Sequence, residues 1–233
     1  MIDIDSLIQF DKQLLLAVNG SDSLFLDGVA KVLTTASTWF PMYAALFYLI
    51  LKNNENFKKI MLIIACAIAC VILAGTVDDT LVKPFVARPR PTHDPQIGLM
   101  IDIVNGYRGG RYGFFSAHAA NTFSAALFFC LLVRNRILST VLIIWSLTNC
   151  WTRMYLGVHY PGDILCGLIW GGIVALTVYT IYLKINRKLD TGMNFVSSQY
   201  TKTGYQQSDV DVVITVFAFS VIYSIIRGCL IVL

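Results

Sequence analysis

Long apolar runs alternate with short polar connections along most of this chain. Six runs can be distinguished, at residues 38–52, 57–81, 117–133, 137–153, 162–184 and 211–232. A helix needs about 20 apolar residues to cross the hydrocarbon core of a bilayer. The pattern therefore predicts an all-α protein, an integral membrane bundle of six transmembrane helices. The first and fourth runs are short, and we expect residues 24–36 and 151–156 to extend them.

The polar segments between and before these runs also have recognisable patterns. Residues 4–18 place polar and apolar side chains at helical spacing, which predicts an N-terminal amphipathic helix along the membrane surface. The acidic residues of this stretch are not typical of a signal peptide. Residues 190–208 are polar and rich in Gln, Ser and Thr, which indicates a flexible linker to the last transmembrane helix at 211–232. We expect one membrane-embedded domain over 1–233.

Composition favours the membrane over the cytosol. Hydrophobic residues make up 56% of the chain and charged residues 14%, with a mean hydropathy of +0.66. A soluble domain carries about 25% charged residues, so a cytosolic helical bundle is the weaker alternative. The net charge of +4 does not form the basic stripe of a nucleic-acid binder, and no obligatory protein partner is evident. The six cysteines lie in apolar stretches and are expected to pack as small hydrophobic residues.

Basic residues set the predicted orientation. Six spans would bring the connections 53–56, 134–136 and 185–210 to one side of the membrane. These connections and their flanks carry the following basic residues: Lys52, Lys58, Lys59, Arg134, Arg136, Lys184, Arg187, Lys188 and Lys202. By the positive-inside rule this side is cytoplasmic. The outer side also carries cations. We leave them out of the positive-inside count because most of them are expected to belong to a site.

The first polar cluster follows the second apolar run. Segment 83–91 holds Lys83, Arg88 and Arg90 among three prolines, which stiffen the backbone. Cations on a stiff segment suit an oxyanion, and the planar arginine fork matches phosphate geometry. A solvated, positively charged membrane anchor has a similar composition. Taken alone, this cluster does not separate the two interpretations.

The second polar cluster lies directly before the third run. Ser116 is placed to cap that helix, so the backbone N–H groups of its first turn, beginning at Ala117, form a ready anion site. His118 would stand in the same turn, where it can give or take a proton near neutral pH. An ordinary helix cap beside an interfacial histidine is the alternative for this cluster alone.

The third polar cluster joins the fourth and fifth runs and contains Arg153, His159 and Asp163. Pro161 suits the first position of a helix, so Asp163 would fall in its opening turn. A carboxylate near His159 can hold one ring nitrogen and leave the other free as a nucleophile. A structural His–Asp pair at a helix start is the alternative.

All three clusters would emerge on one face of the membrane if the spans alternate. The chain has three histidines, and two of them lie in these clusters. Strong polar groups at the ends of apolar helices are costly there and usually functional. Joint placement therefore predicts a single site at the outer leaflet.

The ordered clusters resemble the motifs of the type 2 phosphatidic acid phosphatase superfamily, best over residues 75–175. The first family motif is Lys, six residues and Arg-Pro, and Lys83 and Arg90 match it. The second is Pro-Ser-Gly-His, matched at Ser116 and His118. The family's proline and glycine are replaced here by phenylalanine and alanine, which puts substrate specificity in question but not the chemistry.

The third family motif is Ser-Arg, five residues, His, three residues and Asp, and it is matched by Arg153, His159 and Asp163. The resemblance implies a metal-free, cofactor-free lipid phosphatase that forms a phosphohistidine. His159 would be the nucleophile, Asp163 would orient it, and His118 would act as general acid and base. The resemblance implies that these residues bind the phosphate: Lys83, Arg90, Ser116, Ala117 and Arg153.

Several substrates and one neighbouring function class fit these residues. The expected substrate is a lipid phosphomonoester or diphosphate, such as undecaprenyl diphosphate, a lipid A phosphate or phosphatidylglycerol phosphate. Arg88, Arg111 and Tyr112 are candidate headgroup contacts. A bacterial inner membrane, with the site on its periplasmic or outer face, is the expected location. The alternative is a membrane transporter or lipid-binding protein without hydrolytic activity, although transporters usually bury polar groups at midplane.

Overall fold

A computed structural model describes residues 3–189 and 198–232, and its regular secondary structure over these residues is helical. The helices are α1 (Ile4–Leu16), α2 (Leu24–Thr34), α3 (Phe40–Lys52), α4 (Phe57–Val77), α5 (Lys83–Val86), α6 (Ala117–Val133), α7 (Arg136–Tyr155), α8 (Pro161–Asn186) and α9 (Gln207–Val232). A π-helical turn over Asp78–Val82 joins α4 to α5. The predicted all-α class is confirmed for the described residues.

Three of the described helical segments are long and apolar enough to cross a membrane. They are Phe57–Val86, Pro161–Asn186 and Gln207–Leu230. Helix α6 is apolar but shorter, with 17 residues, and α3 has 13. The polar residues of α7 keep it outside this group. The six-span count therefore stays a prediction for α3, α6 and α7.

The predicted backward extension of the first run through residues 24–36 is wrong. Thr35 has extended backbone (ψ 123°) and ends α2 before α3 begins. The hydroxyl of Thr38 donates to Val32 O at 2.7 Å, and the indole of Trp39 donates to Leu33 O at 2.9 Å. These side chains satisfy carbonyls that a continuous helix would have used. By contrast, α7 reaches Tyr155, as predicted for the fourth run.

Helix α6 lies at the centre of the bundle and packs against α4, α7 and α8. Its closest approach is to α8, where a Cβ on Gly171 would lie 2.5 Å from the carbonyl oxygen of Ala120. Small residues let two helix backbones approach in this way, which is typical of membrane helix pairs. This contact holds the start of α6 close to the start of α8, where two of the three polar clusters lie.

The outer surface of the bundle is apolar. Exposed side chains include Ile68 and Ile72 on α4, Ile173 and Leu176 on α8, and Ile226 on α9. A monomeric soluble protein rarely exposes such continuous apolar surface, whereas lipid tails cover it without cost. The surface is that of a membrane protein.

Two ends of the bundle can be distinguished. At the end away from the polar clusters, Asn53 donates to Asp209 Oδ2 at 3.0 Å and Asn135 donates to Gln207 Oε1 at 2.7 Å. The three connections predicted to be cytoplasmic therefore meet at one end. Part of the predicted linker is ordered there, because Thr203 donates to Val133 O at 2.7 Å and Tyr205 is buried. Residues 190–197 lie outside the described residues.

Helix α1 occupies the predicted N-terminal helical segment. Ile4, Leu7 and Phe10 are exposed, whereas Lys12 and Leu15 are buried against the rest of the chain. One face of α1 is therefore apolar and exposed, and the other face packs against the rest of the protein. Its predicted position along the membrane surface stays a prediction.

Candidate active site

The start of α8 positions His159 and Asp163. Pro161 occupies the first turn, as predicted, and Asp163 Oδ2 accepts a hydrogen bond from Tyr160 N at 3.1 Å. The carboxylate caps its own helix and is fully buried. His159 precedes the helix, and its Nδ1 lies 3.5 Å from Asp163 Oδ2.

The protonation state of His159 follows from its partners. Arg90 Nη1 lies 3.2 Å from His159 Nε2, and a guanidinium can only donate. Nε2 therefore accepts, and the ring proton of the neutral imidazole sits on Nδ1, facing Asp163. Burial, followed by the nearby charges of Arg90, Arg153 and Lys83, lowers the pKa of His159 well below its ordinary 6.5. The unprotonated Nε2 faces the cations.

The loop between α5 and α6 wraps Arg90. Arg90 N donates to Arg111 O at 3.1 Å, next to an antiparallel bridge between Pro89 and Tyr112. Arg90 Nε donates to Tyr112 O at 3.1 Å. Gly109 has φ +68°, and a Cβ there would lie 2.9 Å from Arg90 Nη1, so glycine is needed for this approach. Burial and the charge of Arg153 lower the pKa of Arg90 below its ordinary value.

Arg153, at the end of α7, is 3% exposed. Its Nη1 donates to Thr34 Oγ1 at 2.9 Å and its Nη2 donates to Tyr107 OH at 3.2 Å. Among the described residues its buried Nε has no hydrogen-bond partner. A buried donor without an acceptor is costly, and a phosphate oxygen would satisfy it.

Lys83 contacts two carboxylates. Its ammonium lies 2.7 Å from Asp78 Oδ2 and 2.6 Å from Asp79 Oδ1. The π-helical turn brings both acids to the same lysine, although adjacent residues on a regular α-helix diverge by about 100°. Within residues 3–189 and 198–232, no group of three or more His, Cys, Asp or Glu side chains could hold a metal ion.

The start of α6 completes the site. Ser116 Oγ accepts from Ala119 N at 3.4 Å, which confirms the predicted cap, and Ser116 N donates to Asp163 O at 3.1 Å. The backbone N–H groups of Ala117 and His118 belong to the first turn and point out of the helix start. His118 interacts electrostatically with His159 and with the following cations: Arg153, Arg90 and Lys83. The predicted histidines and cations therefore lie near one another at the same end of the bundle.

The three predicted headgroup contacts have different surroundings. Arg88 is held between the carboxylates of Asp163 and Asp11, each at 2.7 Å, so its guanidinium is already engaged. Arg111 is exposed and lies over the ring of Tyr112, with 5.3 Å from Cζ to the ring centroid. These last two residues stay candidates for headgroup contact.

Three residues near the site were missed by the sequence analysis: Thr34, Tyr107 and Asp11. Thr34 ends an apolar helix and Tyr107 lies in a glycine-rich loop, so neither position carries a local signal. Asp11 belongs to an amphipathic pattern that favours a surface role. Only the tertiary contacts with Arg153 and Arg88 bring these side chains to the site.

We expect His159 to stay neutral as the pH falls through 6.5. Because its pKa is lowered, the imidazole binds a proton only in more acidic solution. In detergent-solubilised protein with ¹⁵N-labelled histidine, its signals, assigned by their loss in His159→Gln, should keep the neutral Nδ1–H pattern at about pH 6. A midpoint at or above 6.5 would contradict the arrangement.

The sequence model of the PAP2 superfamily matches residues 64–187, more than half of the chain. The chain is 38% identical over 229 residues to a lipid A 4'-phosphatase of Bacteroides thetaiotaomicron, an alignment covering 97% of this chain and 100% of that protein. It is 34% identical over 183 residues to a lipid A 4'-phosphatase of Porphyromonas gingivalis, covering 77% of this chain and 76% of that protein.

A shorter similarity, 38% identity over 75 residues, relates it to a putative undecaprenyl-diphosphatase of Escherichia coli, covering 32% of this chain and 37% of that protein. No solved structure matches. The match to the family model and the similarity over the whole length of the Bacteroides protein agree with the family resemblance of the three motifs. The chain belongs to the PAP2 superfamily.

Proposed function

We propose that this protein is a membrane lipid phosphatase that acts on a lipid A phosphate through a phosphohistidine intermediate. The observation that carries the proposal is the double placement of His118. Its imidazole lies near Arg153, Arg90 and Lys83 and also lines a large apolar cavity. A ligand that contacts these cations and fills the cavity must have a phosphate group joined to a hydrocarbon tail.

The apolar cavity has a volume of about 680 Å³ and lies between α3, α4, α6 and α7. It extends from Thr34 and His118, at the end of the bundle that holds the site, towards the other end of the bundle. There it is lined by Ile50, near the end of α3, and Ile64, in the first half of α4. The exposed side chain of Ile68 lines it as well, so the cavity is open towards the bilayer. An acyl chain fits these surroundings, because the cavity wall is almost entirely hydrocarbon.

In the first step, the lone pair of His159 Nε2 forms a bond to phosphorus. The bond between phosphorus and the lipid oxygen breaks, and that oxygen takes a proton from His118. Asp163 holds the Nδ1 proton and stabilises the positive charge that develops on the imidazole. The phosphoryl oxygens are bound by Lys83, Arg90, Arg153, the hydroxyl of Ser116 and the N–H group of Ala117. Such preorganised donors usually supply the largest part of catalysis.

In the second step, water hydrolyses the phosphohistidine. His118 accepts a proton from the water as its oxygen bonds to phosphorus, and the N–P bond breaks. Nε2 recovers its lone pair, and inorganic phosphate leaves. Neither step needs a metal, since cations of the chain offset the phosphate charge.

The proposed substrate rests on the similarity to two lipid A 4'-phosphatases, which covers 100% of one protein and 76% of the other. Undecaprenyl diphosphate is the second candidate, supported by the shorter similarity around the motifs. The basic connections meet at the end of the bundle opposite the pocket, which supports a cytoplasmic end and an outer site. We propose the periplasmic face of a bacterial inner membrane.

The purified protein in nanodiscs should release inorganic phosphate from lipid A 4'-phosphate in the presence of a strong chelator. Mass spectrometry of the lipid identifies which phosphate is lost, and the 1-phosphate and undecaprenyl diphosphate serve as comparison substrates. His159→Ala and His118→Ala should each lower the rate by about a thousandfold, because each removes a group that bonds or transfers a proton to the reacting atoms.

His93→Ala is the matched control. This third histidine follows the first motif in the sequence but has no role in the proposed mechanism, and its Nδ1 lies 3.1 Å from Thr92 Oγ1. It should keep the wild-type rate. Release that requires added metal, or that persists in His159→Ala, contradicts the mechanism. A complete lack of release from every lipid phosphate favours the transporter or lipid-binding alternative.

Filling the cavity should affect lipid substrates selectively. Ala67 lines the cavity, whereas Ala65, on the same helix, is exposed on the outer surface. Ala67→Phe should lower kcat/KM for lipid A 4'-phosphate by about tenfold or more, because a filled pocket excludes the acyl chain. Hydrolysis of a soluble aryl phosphate should change little. Ala65→Phe should leave both rates unchanged, and equal effects of the two variants would reject the cavity as the tail site.

A further inference from the structure

We propose that Asp11, on the N-terminal helix α1, is a positioning residue of the active site. It acts through Arg88 on the carboxylate of Asp163, and through that carboxylate on His159. The inference deepens the proposed function, since it rests on His159 as the nucleophile. It also gives α1 a role in catalysis in addition to its predicted position along the membrane surface.

One guanidinium joins the two carboxylates. Arg88 Nη1 lies 2.7 Å from Asp163 Oδ1, and Arg88 Nη2 lies 2.7 Å from Asp11 Oδ2. The plane of this guanidinium is supported by Tyr160, whose ring centroid lies 3.9 Å from Arg88 Cζ. Two short, charge-assisted hydrogen bonds to one planar group fix the distance and angle between its acceptors. Asp11 therefore helps to set where Asp163 lies.

Asp11 also contacts the start of α8 directly. Its Oδ1 accepts from Gly162 N at 2.7 Å, and a Cβ on Gly162 would lie 2.9 Å from Oδ2. A carboxylate at a helix N-terminus is favoured by the free N–H groups there. The same carboxylate thus touches both the helix that bears Asp163 and the arginine that binds it. The missing side chain at residue 162 makes this approach possible.

A second ion pair also attaches α1 to the rest of the protein, next to that of Asp11, but it does not include Arg88 or Asp163. Lys12 Nζ lies 2.8 Å from Asp94 Oδ2, which also accepts from Tyr160 OH at 2.7 Å. Lys12 and Asp11 therefore both fasten α1 to the segment around Tyr160. Asp11 shares the Arg88 guanidinium with the Asp163 carboxylate and Lys12 does not, so the two anchors can be tested against each other.

The electrostatic consequence concerns the transition state. The positive charge of Arg88 is paired with two negative carboxylates, Asp11 and Asp163, so the three side chains together carry a net charge of −1. Without the charge of Asp11, Arg88 is compensated by Asp163 alone, and less negative potential remains at His159 Nδ1. Positive charge grows on this imidazole as Nε2 attacks phosphorus, and a nearby carboxylate stabilises it. The ion pair of Asp11 is with Arg88, which is not one of the cations proposed to bind the phosphate.

Asp11→Asn should therefore lower kcat about tenfold, which corresponds to about 1.4 kcal/mol, while KM stays within about twofold. Lys12→Gln breaks the other anchor of α1 and should leave kcat within about twofold of wild type. Asp5→Asn, an exposed acid on the same helix, is the charge control. The rates are measured as phosphate release from lipid A 4'-phosphate in nanodiscs.

A readout that needs no turnover accompanies these rates. In ¹⁵N-histidine protein, the Nδ1 resonance of His159 reports its contact with the Asp163 carboxylate, whose Oδ2 lies 3.5 Å away. It should shift in Asp11→Asn and stay in place in Lys12→Gln. If the two variants have the same kcat and the same Nδ1 position, Asp11 merely docks α1 and the inference fails. If the wild type releases no phosphate but Asp11→Asn still shifts the resonance, the proposed function fails while the positioning role stands.

Discussion

The buried carboxylate of Asp163 determines how the rest of the site is arranged. A charge with no access to water is stable only if hydrogen bonds and opposite charges surround it. Here Tyr160 N and Arg88 supply these partners, and His159 Nδ1 lies on the remaining side. The same residue also receives the backbone of the second motif, through Ser116 N and the carbonyl oxygen of Asp163. Three segments far apart in the chain therefore converge on one residue.

The second constraint is mutual repulsion among the cations. Arg90 and Arg153 are almost fully buried, and Lys83 lies close enough to act on the same imidazoles. Local acceptors offset part of this charge, namely Asp78 and Asp79 for Lys83 and neutral oxygens for the arginines. Within the described part of the chain, the Nε of Arg153 has no hydrogen-bond partner. A phosphate group would supply negative charge and acceptors for these cations.

The sequence was sufficient to predict the motif residues of this site, because each stands at a helix start or end whose position the local pattern indicates. Ser116 caps α6 and Asp163 lies in the first turn of α8, as expected. The break at Thr35 was not predicted, since it depends on side chains three and four residues later that bind the end of α2. The partners of Arg88 could not be predicted either. Its link to Asp11 spans 77 residues of sequence, and a run of basic residues looks the same whether its members face a substrate or a carboxylate.

The central claim is that these residues form one phosphate site with His159 Nε2 at its reacting position. An experimental structure of the protein with orthovanadate tests it most directly, because vanadate adopts the geometry of a phosphoryl group under attack. We expect vanadium bonded to His159 Nε2, with its oxygens contacted by Arg90, Arg153 and the start of α6. Vanadate bound away from His159, or bonded to His118 in its place, would contradict it.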